Sequence, residues 1–384
     1  MHCIKNAFSQ VSIRYLALFI SVTYLACNSI NDNAAFKLVL SDSISVKFHN
    51  SCRIPWFQIN TTDTKIYIYN FNEQDKMIEI ATRNLKDSTI TKNSISAPKF
   101  TDRVYIQNLD SLICFNQRSG QVAILNRIGQ NIDSFTIPLV LNGIKYMIKY
   151  HSSNYITIKE NEIYFTIFPY VSLDKFYELP LEISYSLSEH KITSLFLKFP
   201  KTYNYQKDWG ALGMDFTKCK NKSGELFYNF PFTNPIIKYS NKILTTVSTA
   251  SSNYFKIFPP EYLNDDSLNY AKYVIEFANT TSFYHSLMYD RFKDLYIRLA
   301  AHEQSLLNST IYTHATYNQF NDRNWSLMFY NKNFEKINEQ LFEGKKYNFE
   351  SVNITDQGLF IAKTLDPALN TTMKYTFYLF KYEN

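Results

Sequence analysis

From Phe36 onward the chain is a succession of short runs in which apolar and polar side chains alternate, each ended by Asn, Asp, Ser or Pro. Lys65–Asn70 (KIYIYN) sets the type: Ile and Tyr alternate, a turn follows through Asn72–Asp75, and Met77–Ala81 returns as a hairpin partner. Arg103–Asn108 (RVYIQN), Glu162–Phe168, Leu181–Ser186, Glu225–Phe230, Ile236–Tyr239, Ile243–Val247, Trp325–Tyr330, Gly358–Ala362 and Tyr375–Tyr382 read the same way. Leu112–Phe115 and Gln121–Leu125 flank a five-residue loop, Asn116–Gly120 (NQRSG), and Phe283–Tyr289 and Leu295–Leu299 enclose the turn Asp290–Asp294. A period of two sends successive side chains to opposite faces, and β-branched and aromatic residues suit the pleated surfaces that result. Helical spacing is confined to 265–278. There Leu268, Ala271, Ile275 and Ala278 follow Asp265-Asp266, which predicts one helix inserted on the sheets.

The strand pairs recur roughly every 45–65 residues over the whole body of the chain, the spacing of four-stranded propeller blades. Six blades follow, at about 50–100, 101–146, 147–202, 203–282, 283–346 and 347–384, with the N-terminal strand near Phe36–Phe48 completing the last and closing the ring. The fold expected is therefore an all-β, six-bladed β-propeller. Two or three β-sandwich modules are the rival, but they call for Pro/Ser/Gly linkers, and none follows residue 35.

Composition narrows function. Only 8 of the 384 residues are Gly, which argues against Gly-dependent phosphate loops. Aromatic residues make up 17%, with 30 Tyr and 31 Phe, which excludes a disordered or coiled-coil chain. Ahead of the strands, residues 1–14 carry Lys5 and Arg14 with no acid, and the apolar run Tyr15–Ala26 has the length of a secretory core and is too short to span a bilayer. Leu25-Ala26-Cys27 resembles the lipobox of bacterial lipoproteins, although Tyr24 stands where that pattern prefers Leu or Val. The reading is a signal peptide over 1–26, a lipidated Cys27 at the head of a polar tether over 27–35, and the propeller over 36–384. An ordinary signal peptide with an incidental Cys27 is the bland alternative. Removal of the leader takes two bases and no acid, so the net charge falls from +6 to +4, too mild to call for nucleic acid. Cys52, Cys114 and Cys219 remain, widely spaced and without a C-x-x-C, and read as buried thiols rather than a disulfide framework. The Asn-x-Ser/Thr triplets at Asn60, Asn279 and Asn370 follow from a chain rich in those residues.

Glu225–Tyr239 (ELFYNFPFTNPIIKY), Tyr284–Leu299 (YHSLMYDRFKDLYIRL) and the closing Gly358–Tyr382, together with Cys27, resemble a family of Bacteroidetes lipoproteins with a domain of unknown function, similar to six-bladed β-propellers. The pieces are Asn229-Phe230-Pro231-Phe232, the hairpin Tyr289-Asp290-Arg291-Phe292 with Tyr296-Ile297-Arg298 after it, and the terminal Gly-Leu strand. The resemblance implies a cell-envelope location and the propeller fold, and carries no catalytic residues.

No dinucleotide, Walker, nucleophile-elbow or H-E-x-x-H motif is present, so no cofactor or metal is called for. His285, His302 and His314 share one blade, yet sequence spacing alone does not bring imidazoles to one metal. Asp290, Arg291, Tyr296 and Arg298 are candidate binding residues, since an Arg beside an aromatic at a strand end clamps a carboxylate or stacks on a sugar. The plainer reading pairs Arg298 with a cross-strand carboxylate and packs Tyr296 between blades. Trp209, in a loop near Tyr203 and Tyr205, is a further candidate for a sugar face. Two functions are carried forward. One is a monomeric binding or scaffold module, held to the envelope membrane (the outer membrane, on either side) through Cys27 and gripping a protein, peptide or glycan. The other is a hydrolase or lyase with carboxylates, Arg or His at the channel mouth.

Overall fold

In the third strand pair of hydrophobic runs, Leu112 and Cys114 pack toward one neighbour while Ile113 and Phe115 pack toward the other. A strand that is apolar on both faces needs a sheet on each side, and radially arranged sheets supply it. The computed structural model describes residues 37–48, 57–150, 156–203, 214–255, 277, 280–304, 323–363 and 374–383. Its strands form six antiparallel sheets. Blade 1 is β2 (Phe57–Thr61), β3 (Lys65–Asn72), β4 (Met77–Asn84) and β5 (Ile90–Ser96); blade 2 is β6 (Arg103–Asn108), β7 (Ser111–Phe115), β8 (Gln121–Leu125) and β9 (Asn131–Thr136). In blade 3 the inner strand comes in two pieces, β11 (Ile144–Ile148) and β12 (Thr157–Lys159), both paired with β13 (Glu162–Pro169). β10 (Val140–Leu141) pairs with β11, and β14 (Glu182–Ser186) and β15 (Lys191–Phe196) complete that sheet after a single helical turn, α1 (Leu173–Phe176). Blade 4 is β16 (Thr217–Lys220), β17 (Leu226–Asn229), β18 (Ile236–Ser240) and β19 (Ile243–Val247), and blade 5 is β20 (Phe283–Asp290), β21 (Leu295–Ala301), β22 (Trp325–Tyr330) and β23 (Lys336–Phe342). Blade 6 is β24 (Tyr347–Thr355), β25 (Gly358–Lys363) and β26 (Lys374–Glu383), with β1 (Lys37–Lys47) as its outer strand.

The protein is thus a six-bladed β-propeller closed by its N-terminal strand, and the sandwich alternative is excluded. The 265–278 stretch lies outside the described residues except for Phe277, which is helical.

The core is the set of seams between blades. Ile44, Val46, Phe360, Phe377 and Leu379 of blade 6 pack on Ile59, Ile66 and Ile68 of blade 1. Farther round, Phe115 and Phe165 join blades 2 and 3, Phe168, Phe216 and Tyr228 join blades 3 and 4, and Phe227, Tyr284 and Tyr296 join blades 4 and 5. Cys114 and Cys219 are buried free thiols, and burial pushes the Cys114 thiol up to about 12; Cys52 lies outside the described residues.

The turns share a device. In Asn126–Gln130, Asn221–Glu225 and Asn331–Glu335, the leading Asn side chain accepts the backbone N–H four residues on and donates to the Gln or Glu carried there. The residue before that Gln or Glu has positive φ: Gly129 at 83°, Gly224 at 79°, but Phe334 at 62°. Glycine is the ordinary occupant of such a position, and a bulky ring there is costly. Phe334 offsets that cost by packing, as the site below makes plain.

Candidate functional site

Each blade's inner strand faces the axis, with β12 in that place in blade 3, so the axial channel is walled by β2, β6, β12, β16, β20 and β24. A cavity of about 360 Å³ opens where these strands end, and every blade contributes to its wall. Gln58, Asn60, Gln107, Asn108, Thr157, Lys220, Arg291 and Asn353 supply the polar lining, and Tyr105, Tyr289, Met288 and five isoleucines the apolar part, with Cys219 among the remainder. No Asp, Glu or His is among the described residues of this lining.

Several of these polar groups fasten one blade to the next. Gln58 Nε2 donates to Ile106 O at 3.3 Å while its Oε1 accepts Ile106 N–H at 2.5 Å, so one amide imitates a rung of sheet between blades 1 and 2. Asn353 Oδ1 accepts Ile59 N–H at 3.2 Å, tying blade 6 to blade 1. Lys220 Nζ donates to Ile158 O at 2.6 Å, tying blade 4 to blade 3. Burial, with the nearby Lys159 adding to it, pushes the Lys220 ammonium down from its usual range. Gln107 Oε1 is buried with no hydrogen-bond partner among the described residues. Arg291 is exposed at the rim, its guanidinium 4.8 Å from the Phe292 ring centre.

A second cavity, about 460 Å³, lies between blades 4 and 5 on the same side. Its apolar floor is Phe227, Val247, Tyr296 and Phe334; Tyr296 and Phe334 stack at 4.1 Å, and Phe227 meets Tyr296 edge-on at 4.9 Å. The rim carries Lys222, Lys332 and Asp294, and Glu225 paired with Lys238 at 2.6 Å. Lys238 holds the Glu225 carboxyl down at about 2. Tyr289 lines both cavities and donates its hydroxyl to Asp294 at 2.5 Å.

The residues singled out in the sequence are dispersed. Arg291 lines the channel mouth and Tyr296 the interblade cavity. Asp290 is fully buried: one carboxylate oxygen accepts the N–H groups of Phe292 and Lys293, shaping the hairpin, and the other accepts the Tyr382 hydroxyl of blade 6 at 2.6 Å. Arg298 is also fully buried. It donates to Asn229 Oδ1, to the carbonyls of Thr233 and Asn234 and to Thr249 Oγ1, and lies 3.4 Å over the Tyr284 ring. These partners are carbonyls, an amide and a hydroxyl rather than the carboxylate the sequence suggested. Trp209 and Cys27 lie outside the described residues. Sequence reasoning missed Gln58, Gln107, Lys220 and Asn353. The signal for them was positional, the end of each blade's first strand, and it is usable only once the blades are phased.

Two further charged clusters sit in the frame. Glu182 of β14 and Lys218 of β16 form an ion pair that is wholly buried, with Thr166 donating to Glu182 and Lys218 donating to Tyr164 O. Burial pushes the carboxyl up and the ammonium down. In blade 5, Glu339 accepts from Ser252, Ser326, Lys336 and Asn253 N–H, and Ser326 Oγ lies 3.0 Å from His302 Nε2. Ser326 is buried between His302 and Glu339 and gives its proton to the carboxylate, which is a structural network and not the order of a nucleophilic triad. Burial pushes His302 down to about 4. No group of three or more His, Cys, Asp or Glu that could hold a metal occurs among the described residues.

No family model and no curated protein matches the chain. Among solved structures it is similar to a member of the DUF4221 family from Bacteroides vulgatus, at a TM-score of 0.72 and 19% identity, covering 91% of this chain and 99% of that one. It is similar more distantly to a "Putative exported protein" from Bacteroides fragilis, at a TM-score of 0.49 and 8% identity over 93% of this chain and 98% of the other. The first likeness is one of fold.

Proposed function

We propose that the chain is a cell-envelope binding module: a propeller held to the membrane by acyl chains on Cys27 that grips a protein, peptide or glycan at the channel mouth. The observation that carries this reading is the composition of the mouth. Six strand ends converge there on a cavity walled by amides, the hydroxyls of Thr157, Tyr105 and Tyr289, two cations and aliphatic side chains, with no carboxylate or imidazole among the described residues that line it. Hydrolysis or elimination needs a proton donor and acceptor within reach of one bond. The described residues of the lining do not supply the carboxylate and His partners that the hydrolase or lyase alternative required. Holding a ligand asks only for shape and unspent hydrogen-bonding groups.

Support for the anchor comes from the leader and the Leu25-Ala26-Cys27 sequence. The experiment has two arms. The full chain and its Thr157→Trp variant, which fills the channel mouth, are probed on glycan and peptide arrays. Capture by the wild type and its loss in the variant is the expected result; capture that survives the plug overturns the channel reading. In the second arm, Cys27→Ser moves the protein from the membrane to the soluble fraction, and unchanged membrane partitioning refutes lipidation.

A further inference from the structure

We propose that the channel mouth recognises an acidic sugar, its carboxylate taken by Lys220 and Arg291 and its hydroxyls by the amides across the ring. This rests on the binding-module reading and names its ligand class. The two cations come from neighbouring blades at the same strand ends: Lys220 closes β16, and Arg291 follows directly on β20. No acid among the described residues of the cavity wall balances them. Lys220 spends one donor on Ile158 O and keeps the others, in a half-buried setting where a carboxylate oxygen gains more than it would in bulk water. Arg291 brings a planar fork suited to a carboxylate and is exposed, so no protein partner has to be displaced from a buried site.

The opposite wall asks for a different group. Gln107 belongs to blade 2, three blades round from Arg291 and therefore across the channel. The half-buried Gln107 side chain lines the cavity, and its Oε1, covered in the unliganded protein, has no partner among the described residues, so turning it toward the channel would give a ligand donor an acceptor at no cost in protein hydrogen bonds. An inorganic anion offers no such set of donors, whereas a sugar hydroxyl does. Half-buried Tyr105 on this wall and Tyr289 on the wall of Arg291 give flat apolar surface for the C–H face of a pyranose. Anionic group, hydroxyl and apolar ring face together describe a uronic acid better than a phosphate or a neutral hexose.

The test is calorimetric titration of the full chain with trigalacturonate, with its fully methyl-esterified form, and with inorganic phosphate. The expected result is binding of the acid at least tenfold tighter than of the ester, weakening with added salt. Arg291→Gln, at an exposed position where folding is not at stake, weakens the acid about tenfold and leaves the ester unchanged. Gln107→Glu also weakens the acid, because it puts a carboxylate opposite the sugar. Equal affinity for acid and ester, or indifference to Arg291→Gln, overturns the proposal, as does phosphate binding more tightly than the uronide. If no uronide binds while the array ligand is still captured and still lost in Thr157→Trp, this inference falls and the channel-binding reading stands. Array capture that survives the plug defeats the reading beneath it.

Discussion

Arg298 carries a buried charge on carbonyl dipoles and an aromatic face. Burial pulls its guanidinium down from its usual range, and the surrounding acceptors and the Tyr284 ring keep it in place. Replacing it leaves Asn229 Oδ1 and two loop carbonyls facing the vacated space, at about 1–3 kcal/mol for each buried group left unmet. Arg298→Met is therefore expected to cost at least about 3 kcal/mol of stability, and Arg298→Lys recovers only part, since an ammonium cannot serve acceptors spread over a planar fork. Urea unfolding measures both, and a loss below about 1 kcal/mol for the Met variant contradicts the assignment. Glu225 behaves oppositely. Lys238, with Asn221 and Ser223 helping, holds its carboxyl at about 2 in the folded state, below its ordinary range near 4.3. A depressed carboxyl contributes stability that is complete above the unfolded value and is lost as pH falls through the folded one. The stability gap between wild type and Glu225→Gln is thus expected to be constant above about pH 5 and to shrink steadily toward pH 2; thermal melts across that range check it, and a gap independent of pH refutes it.

Strands meet across blade seams, and the seam between β14 and β16 holds the buried Glu182–Lys218 pair. Such a pair owes little net stability to its mutual attraction, because both ions have left water, but removal of one partner strands the other. Lys218→Met alone is expected to cost about 3–5 kcal/mol, and Glu182→Leu added to it to restore more than half of that; a double variant no better than the single one, by denaturant titration, disproves the coupling. The same strand-level view explains what could be read from the sequence. Middle strands such as β3, β7, β13 and β22 are buried between two neighbouring blades, and their continuous Ile, Phe and Tyr content made them legible. Some outer strands, unlike β1 and β19, were not: β5 (ITKNSIS) buries only Ile95, and β9 (NIDSFT) fully buries only Phe135, so neither alternates visibly. Several inner strands, unlike β6 and β20, failed for the opposite reason. β2, β16 and β24 carry Gln58, Lys220 and Asn353 because they line the channel, and a polar residue in a short strand reads as loop. The site was hidden by the feature that makes it a site. Of the hairpin singled out as chemically interesting, Arg291 reached the mouth, while Asp290 and Arg298 were taken up by the blade contacts. Phe334 was equally illegible: a ring in a glycine position at φ 62° makes sense only beside the Tyr296 face on which it stacks.

At the scale of the whole ring, stability depends on closure, and closure depends on the first described strand. β1 hydrogen-bonds to β26 at the outside of blade 6 and sends Ile44 and Val46 into the seam with blade 1, while the Ser45 and Thr376 hydroxyls meet at 2.9 Å. Leu38 N–H and C=O are both held by the Gln340 amide of blade 5, so the strand touches the blade on its other side as well. Every other blade is built from one continuous stretch of chain and can form its hairpins locally; blade 6 alone must wait for residues separated by over 300 positions. Loop-closure entropy grows only slowly with length, so that separation is tolerable, but it is met late and by a single strand. Removing residues 37–47 uncovers the edge of β26 and the apolar side chains Phe377 and Leu379 behind it, a template for pairing with another chain. The truncated protein is expected to melt at lower temperature and to form dimers or larger species by size-exclusion chromatography with light scattering. Supplying the β1 sequence as a separate peptide should bring back the monomer in proportion to its concentration, as a ligand that binds the folded state does. Should the truncated chain instead stay monomeric and melt as the full chain does, ring closure would have to reside in the blade contacts themselves and not in the borrowed strand.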